Sequence, residues 1–244
     1  MLIQVFQLTG LSIPEKILYA LIILFALTLS FSVHEFMHAF VADWLGDRTP
    51  RNMGRLTLNP VAHMDITGTI LLLMAGFGWG KPVMYNPNNL KKFKSRRLMN
   101  IMVHLAGVTG NFVLALISGI IATLIDCIAA GMVDPDGKAA VAVATVKAAF
   151  VFTETFSLML LAFNLLPIPP LDGFHVLEEL LPYRIRRSEG YRKFEMFAPY
   201  GIMVLFLASF SMRLNILDTI IRVIETPFAL AIEAICNLIR LPFM

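Results

Sequence analysis

The residues best suited to chemistry are His34, Glu35 and His38, in the run Val33-His34-Glu35-Phe36-Met37-His38-Ala39. Positions i and i+4 of an α-helix share a face, so the two histidines can hold one metal ion. Glu35 is not needed as a ligand at this spacing. It can instead take a proton from a metal-bound water. Far downstream comes Asn164-Leu165-Leu166-Pro167-Ile168-Pro169-Pro170-Leu171-Asp172-Gly173. Asp172 offers the hard oxygen that completes a His, His, carboxylate set. Such a set leaves a fourth position for water, as catalytic zinc requires. Either motif alone has a plain reading: a coincidental HExxH, or a turn aspartate after prolines. Together, each closing an apolar run, they point to one site.

Those apolar runs must position the motifs. Ile17 to Val33 is 17 residues without a charge. Ionisable groups at membrane depth are costly and usually functional. With Pro14-Glu15-Lys16 marking a start, the first helix is expected from about Ile17 to about Asp43. Leu98 to Ile125 is 28 residues without a formal charge, and Ala139 to Leu166 is the next apolar stretch. Lys147 and Glu154 lie two turns apart in it and face one way, toward solvent or the protein interior. Met196 to Met212 reads as a further span. Ile66 to Gly80 holds 15 uncharged residues, four of them Gly. That is short of the roughly 20 residues of a straight span, so it is expected to be re-entrant. Gly54 to Asn59 alternates apolar and polar residues as a half-buried strand does. Gly80 to Pro87 is its expected hairpin partner. Asp218, Arg222, Glu225, Glu233, Asn237 and Arg240 form one polar stripe, broken near Pro227. The stripe belongs to an interfacial helix or to a span packing that stripe against protein.

The chain of 244 residues is 57% hydrophobic and 15% charged, with mean hydropathy +0.74. This composition excludes an ordinary soluble domain. The expected fold is a polytopic α-helical membrane protein. It has about four to six transmembrane helices and a small re-entrant or β-hairpin element near the site. A single domain, residues 1–244, is expected, with a core at about 15–182 and C-terminal helices at 196–244. A net charge of +3 implies no nucleic-acid partner. Cys127 and Cys236 lie far apart in apolar segments and give neither a disulfide framework nor a Cys-based metal site. No cleavable signal peptide is evident. Leu90 to Arg97 and Tyr183 to Lys193 each hold five Lys or Arg, whereas Asp126 to Lys138 holds three Asp and one Lys. Basic short loops stay cytoplasmic. The first helix and the one leading to Asp172 then run parallel, with the site nearer the cytoplasmic face.

HEFMH followed by NLLPIPPLDG resembles the site-2 protease family of intramembrane zinc metalloproteases. Asn59-Pro60-Val61-Ala62-His63-Met64-Asp65 and Gly78-Trp79-Gly80-Lys81-Pro82-Val83 resemble its compact members. The likeness covers roughly residues 15 to 182. It implies His34, His38 and Asp172 as metal ligands, Glu35 as the catalytic Glu, and one Zn2+. It also implies hydrolysis of a peptide bond in a transmembrane protein substrate. The expected location is a prokaryotic cell membrane, with lipid as surroundings; a homo-oligomer stays open. Ala106-Gly107-Val108-Thr109-Gly110-Asn111 resembles the family's Ala-Gly-Pro-x-x-Asn stretch, but Val108 stands where Pro is usual. No PDZ-like insert is present.

A tetrahedral oxyanion needs hydrogen-bond donors. Asn111 and Asn164 qualify as side-chain amides in apolar helices, although helix-to-helix bonding suits them equally. His63 is a candidate for substrate or water contact, and His175 a support for Asp172. An unwound substrate needs partners for its freed amides, which an edge strand at Gly54 to Asn59 or Lys81 to Asn86 supplies. Two other classes compete. A divalent-metal transporter needs no base at Glu35 and favours inverted repeats, of which none is visible. A non-catalytic protease-like scaffold is disfavoured by the intact Glu35.

Overall fold

The computed structural model describes residues 10, 12–75, 78–130, 137–212 and 216–243. Helix α1 (Ile13–Trp44) starts four residues ahead of the expected Ile17, with Pro14 and Glu15 in its first turn. Ser12 is its N-cap, and the Glu15 carboxylate accepts from the Ser12 N–H at 2.7 Å and from its hydroxyl at 2.6 Å. This closes the first turn. Two short helices follow, α2 (Thr49–Asn52) and α3 (Pro60–His63), then α4 (Ile66–Ala75). Helix α5 (Arg96–Ala129) and helix α6 (Lys138–Asn164) are the other long apolar elements. Beyond them come α7 (Asp172–Leu180), α8 (Tyr183–Arg186), α9 (Glu189–Met212) and α10 (Ile216–Arg240). Among the described residues, α1, α5 and α6 are long and apolar enough to cross a membrane. The chain is therefore a helical membrane protein.

Contacts fix the relative directions. Leu45 and Ala42 pack with Met99 and Val103, whereas His34 lies against Gly107 and Asn111. So α1 and α5 are antiparallel. Val108 packs with Leu161, Ala115 with Leu158, and Lys147 pairs with Asp126 at 2.7 Å. So α5 and α6 are antiparallel too, and α1 runs parallel to α6. Lys147 thus faces its partner helix, as the sequence requires of a charge at this depth. Glu154 faces inward as well, since a Cβ at Gly119 would stand 3.1 Å from its carboxyl.

Helix α4 is ten residues, about 15 Å of helix, and its two flanks return to one place. Met64 and Gly80 form an antiparallel bridge, and Lys81 N–H donates to His63 C=O at 2.8 Å. Gly68 is required here, because a Cβ would fall 2.0 Å from the Trp79 carbonyl oxygen.

Two expectations differ from this arrangement. Residues 54–59 form turns and bends, and no ladder occurs among the described residues beyond the Met64–Gly80 bridge. Their polar groups bond locally instead. Asn59 Oδ1 accepts from Val61 N–H at 3.1 Å and caps α3, and Arg55 donates to Ala62 C=O. Such local side-chain bonds compete with strand pairing. The other difference is α10, which runs unbroken across Pro227. Ile224 and Phe228, either side of that proline, are packed against Val108 and Leu161. Tertiary packing outweighs the proline. This apolar ridge, with Ile232 and Cys236 buried against Ala115 and Leu158, faces the protein. Of the polar stripe, Asp218, Arg222, Glu233 and Asn237 are exposed, whereas Glu225 and Arg240 are partly buried.

Candidate metal centre

His34 and His38 lie on the buried face of α1, one turn apart. Their rings are edge-on at 82°, with centroids 4.7 Å apart. Helix α5 can approach this face because it presents Gly107. A Cβ there would stand 2.4 Å from His38 Nε2 and 2.5 Å from His34 Cε1. Asp172 arrives from the other side, at the start of α7. The turn before it is tight, because a Cβ at Gly173 would fall 2.2 Å from the Leu165 carbonyl oxygen.

Three ligand atoms converge. His34 Nε2 and His38 Nε2 are 3.1 Å apart, and Asp172 Oδ2 is 3.3 Å from each. The surroundings fix which atoms carry protons. His38 Nδ1 lies 2.8 Å from the Val103 carbonyl. The carbonyl can only accept, so Nδ1 carries the hydrogen and neutral His38 keeps a lone pair on Nε2. Asn111 is buried, with Nδ2 placed 3.3 Å from His34 Nδ1 and Oδ1 lacking a donor. Rotating that amide by 180° sets Oδ1 on a His34 Nδ1–H and leaves His34 Nε2 bare as well. Asp172 Oδ2 is buried without a donor. Three lone-pair atoms facing one another repel unless a cation lies between them. The donor set of two imidazoles and one carboxylate fits zinc.

Glu35 sits beside this triangle, nearly buried. Its Oε2 accepts the Val83 N–H at 3.2 Å. That contact lay hidden in the sequence, because a backbone donor has no residue signature. Its signal was the Gly78-Trp79-Gly80-Lys81-Pro82-Val83 run that brings the segment in. A cavity of about 390 Å³ opens onto His34 and Glu35. Leu27 and Phe31 of α1, Met159 and Phe163 of α6, and Trp79 wall it. Its lining is therefore mainly apolar.

The remaining candidates separate. Asn164 lines the cavity and donates Nδ2 to the Leu160 carbonyl at 2.9 Å. Asn111 lies behind His34 as a partner of the ring. His63 is fully buried, with Nε2 2.8 Å from the Thr57 carbonyl, and pins the loop after α2. His175 stacks on His104 at 4.8 Å, and Tyr85 OH lies 3.0 Å from His104 Nε2.

Comparison with known proteins points to a family. The model of peptidase family M50 matches residues 124–208, a span that holds Asp172. A protein of Bacillus subtilis described as "Putative zinc metalloprotease YwhC" is 40% identical over 160 residues, 66% of this chain and 69% of the relative. Proteins described as "Putative zinc metalloprotease Rip2" are 31% identical in Mycolicibacterium smegmatis and 34% in Mycobacterium tuberculosis. Those alignments cover 66% and 73% of this chain, but only 57% and 64% of the relatives. No solved structure matches. With a zinc-type donor set beside a carboxylate and a 40% identical relative covered over most of its length, the chain belongs to peptidase family M50, the site-2 protease type of intramembrane zinc metalloprotease.

Proposed function

We propose that this chain cleaves peptide bonds within the transmembrane segments of membrane proteins, with His34, His38 and Asp172 as zinc ligands and Glu35 as the base. The observation that carries this reading is the convergence of three bare ligand atoms beside Glu35, at the mouth of an apolar cavity. Zinc bound there supplies a water of lowered pKa and polarises the scissile carbonyl. Glu35 then accepts the proton of the attacking water and delivers it to the leaving amine. For that, its carboxylate must leave the Val83 N–H or share it. Asn164 is the one proposed oxyanion donor that lines the cavity. His63 holds the adjoining loop in place and is not needed at the reacting atoms.

The substrate arrives as a helix whose amides are satisfied internally. Once unwound, its backbone needs new partners. The segment from Lys81 to Asn86 supports such pairing, because it runs beside Glu35 and, beyond the Lys81 bond to His63, leaves the Met64–Gly80 bridge behind. We read the core at about 15–182 and the helices at 196–244 as one membrane-embedded domain. The stretch from Ile66 to Gly80 enters and leaves on one side, which its paired ends support. The site then lies nearer the cytoplasmic face of a prokaryotic cell membrane.

The test is direct. Purified full chain is incubated with synthetic transmembrane peptides in detergent, with and without a zinc chelator, and the products are mapped by mass spectrometry. Chelator-sensitive cleavage inside the apolar segment is expected. Intact peptides in every zinc-loaded sample would sink the proposal.

A further inference from the structure

Away from the metal triangle, Arg186, Arg187 and Arg192 line one concavity of about 450 Å³. It lies where α8 leads into α9. Among the described residues none of the three is in an ion pair with a carboxylate, although Lys193 beside them pairs with Glu189 at 2.8 Å. Arg187 instead lies over the Tyr183 ring, 4.7 Å from its centroid. Arg186 is half-buried, and its Nε is shielded from solvent without an acceptor. Three cations facing one hollow repel each other, and the shielded Arg186 Nε is left without an acceptor. An anion with several oxygens resolves both, and guanidinium pairs with phosphate through two parallel bonds.

The flanks identify the source of that phosphate. Leu180, Tyr183, Ile185 and Phe194 lie on the same stretch and are 56%, 62%, 45% and 48% exposed. A soluble phosphate accounts for the arginines but not for this apolar rim. A phospholipid accounts for both, with its phosphate in the hollow and its glycerol and acyl chains against the rim. Aromatic residues with basic neighbours are typical of membrane interfaces. The position also fits: Phe174 of α7 stacks on Tyr191 of α9 at 6.1 Å, and Asn100 near the start of α5 bonds Glu179 at 2.7 Å. The hollow thus lies at the end of the bundle where α5 begins, beside its basic approach.

We propose that Arg186, Arg187 and Arg192 bind the phosphate of an anionic phospholipid. The site is separate from the peptidase centre and rests on the membrane placement, not on the hydrolytic chemistry.

Purified full chain in nonionic detergent is titrated with dihexanoyl phosphatidylglycerol, dihexanoyl phosphatidylcholine or inorganic phosphate, and adducts are counted by native mass spectrometry. Phosphatidylglycerol should bind more tightly than the other two. Combined Arg186→Gln, Arg187→Gln and Arg192→Gln should weaken it by about tenfold or more, whereas Lys193→Gln should not. If the triple variant fails to fold, Arg187→Gln with Arg192→Gln decides the matter, and zinc content reports that the core is intact. Equal binding of both lipids, or wild-type binding by the variants, overturns the proposal. So does inorganic phosphate binding as tightly as the lipid, which leaves a simple anion site.

Discussion

Removing the acceptor from Glu35 while keeping its shape separates proton transfer from metal binding. Glu35→Gln should keep zinc by elemental analysis and lose cleavage by about a hundredfold or more. Cleavage at the wild-type rate in that variant would exclude Glu35 as the base. Gly107 is the residue whose importance only the structure makes plain. In Gly107→Ala the new methyl falls on both imidazoles, so zinc affinity should drop even though no ligand has changed. A chelator competition that leaves wild-type affinity would show that α5 can move aside at no cost. Asn111→Ala should weaken zinc by about ten- to a hundredfold, as loss of a partner behind a ligating histidine does. The proposed ligands His34 and His38 stand out in the sequence because their spacing follows from helix geometry, and Asp172 because it closes a second apolar run. Asn111 was legible as a polar group in an apolar helix, but its partner was not. Sequence cannot tell a donor aimed at substrate from one aimed at a ring.

At the scale of elements, the turn after α1 is held by one carboxylate. Asp47 is fully buried. Its Oδ1 accepts from the Thr49 N–H and hydroxyl and from the Asn89 amide, and its Oδ2 from the Asn86 N–H. One side chain thereby ties the end of α1 to the segment that continues from Val83. Burial alone raises the Asp47 pKa, but bonds from Thr49, Asn89 and Asn86 outweigh it and leave it below the ordinary value. A carboxyl lowered on folding adds stability above its unfolded pKa and loses it as pH falls through the folded one. Thermal stability in detergent should therefore fall below about pH 4, and Asp47→Asn should flatten that limb. An unchanged acid limb would exclude Asp47 as its source. Asp47→Ala should cost about 3 kcal/mol by stranding buried donors. The long helices were legible from their apolar runs, to within a few residues. The loop between Gly54 and Asn59 was not, because alternation can be satisfied by caps and turns as well as by a ladder. The Asn59-Pro60 pair carried the competing cap signal.

For the whole molecule, the parallel course of α1 and α6 turns a charge pattern into a prediction of sidedness. Cysteines introduced singly as Asn52→Cys, Asn89→Cys, Asp136→Cys and Ser188→Cys, without Cys127 and Cys236, can be labelled in intact cells. Position 136 lies outside the described residues, between α5 and α6 in the sequence. Only it should react with an impermeant thiol reagent before lysis. Labelling at 52 without labelling at 89 would place α4 across the membrane and undo the shared depth of the ligands. The expected sidedness rests on the loop charges alone. The sequence did not supply the face that α10 presents, because a helix with one apolar and one polar side fits a bilayer surface and a bundle equally well.

Depth also has a bearing on what becomes of the products. His34 lies ten residues before the end of α1 at Trp44, about 15 Å along the helix. That is at most about half the thickness of a hydrocarbon core, which agrees with a site nearer the cytoplasmic face. A substrate span cut within the hydrocarbon core leaves two apolar stubs, each shorter than the roughly 20 residues needed to stay threaded. Neither fragment can remain a transmembrane anchor. For a substrate with a single span, hydrolysis at the level of His34 would therefore leave both halves without an anchor, with no separate extraction machinery.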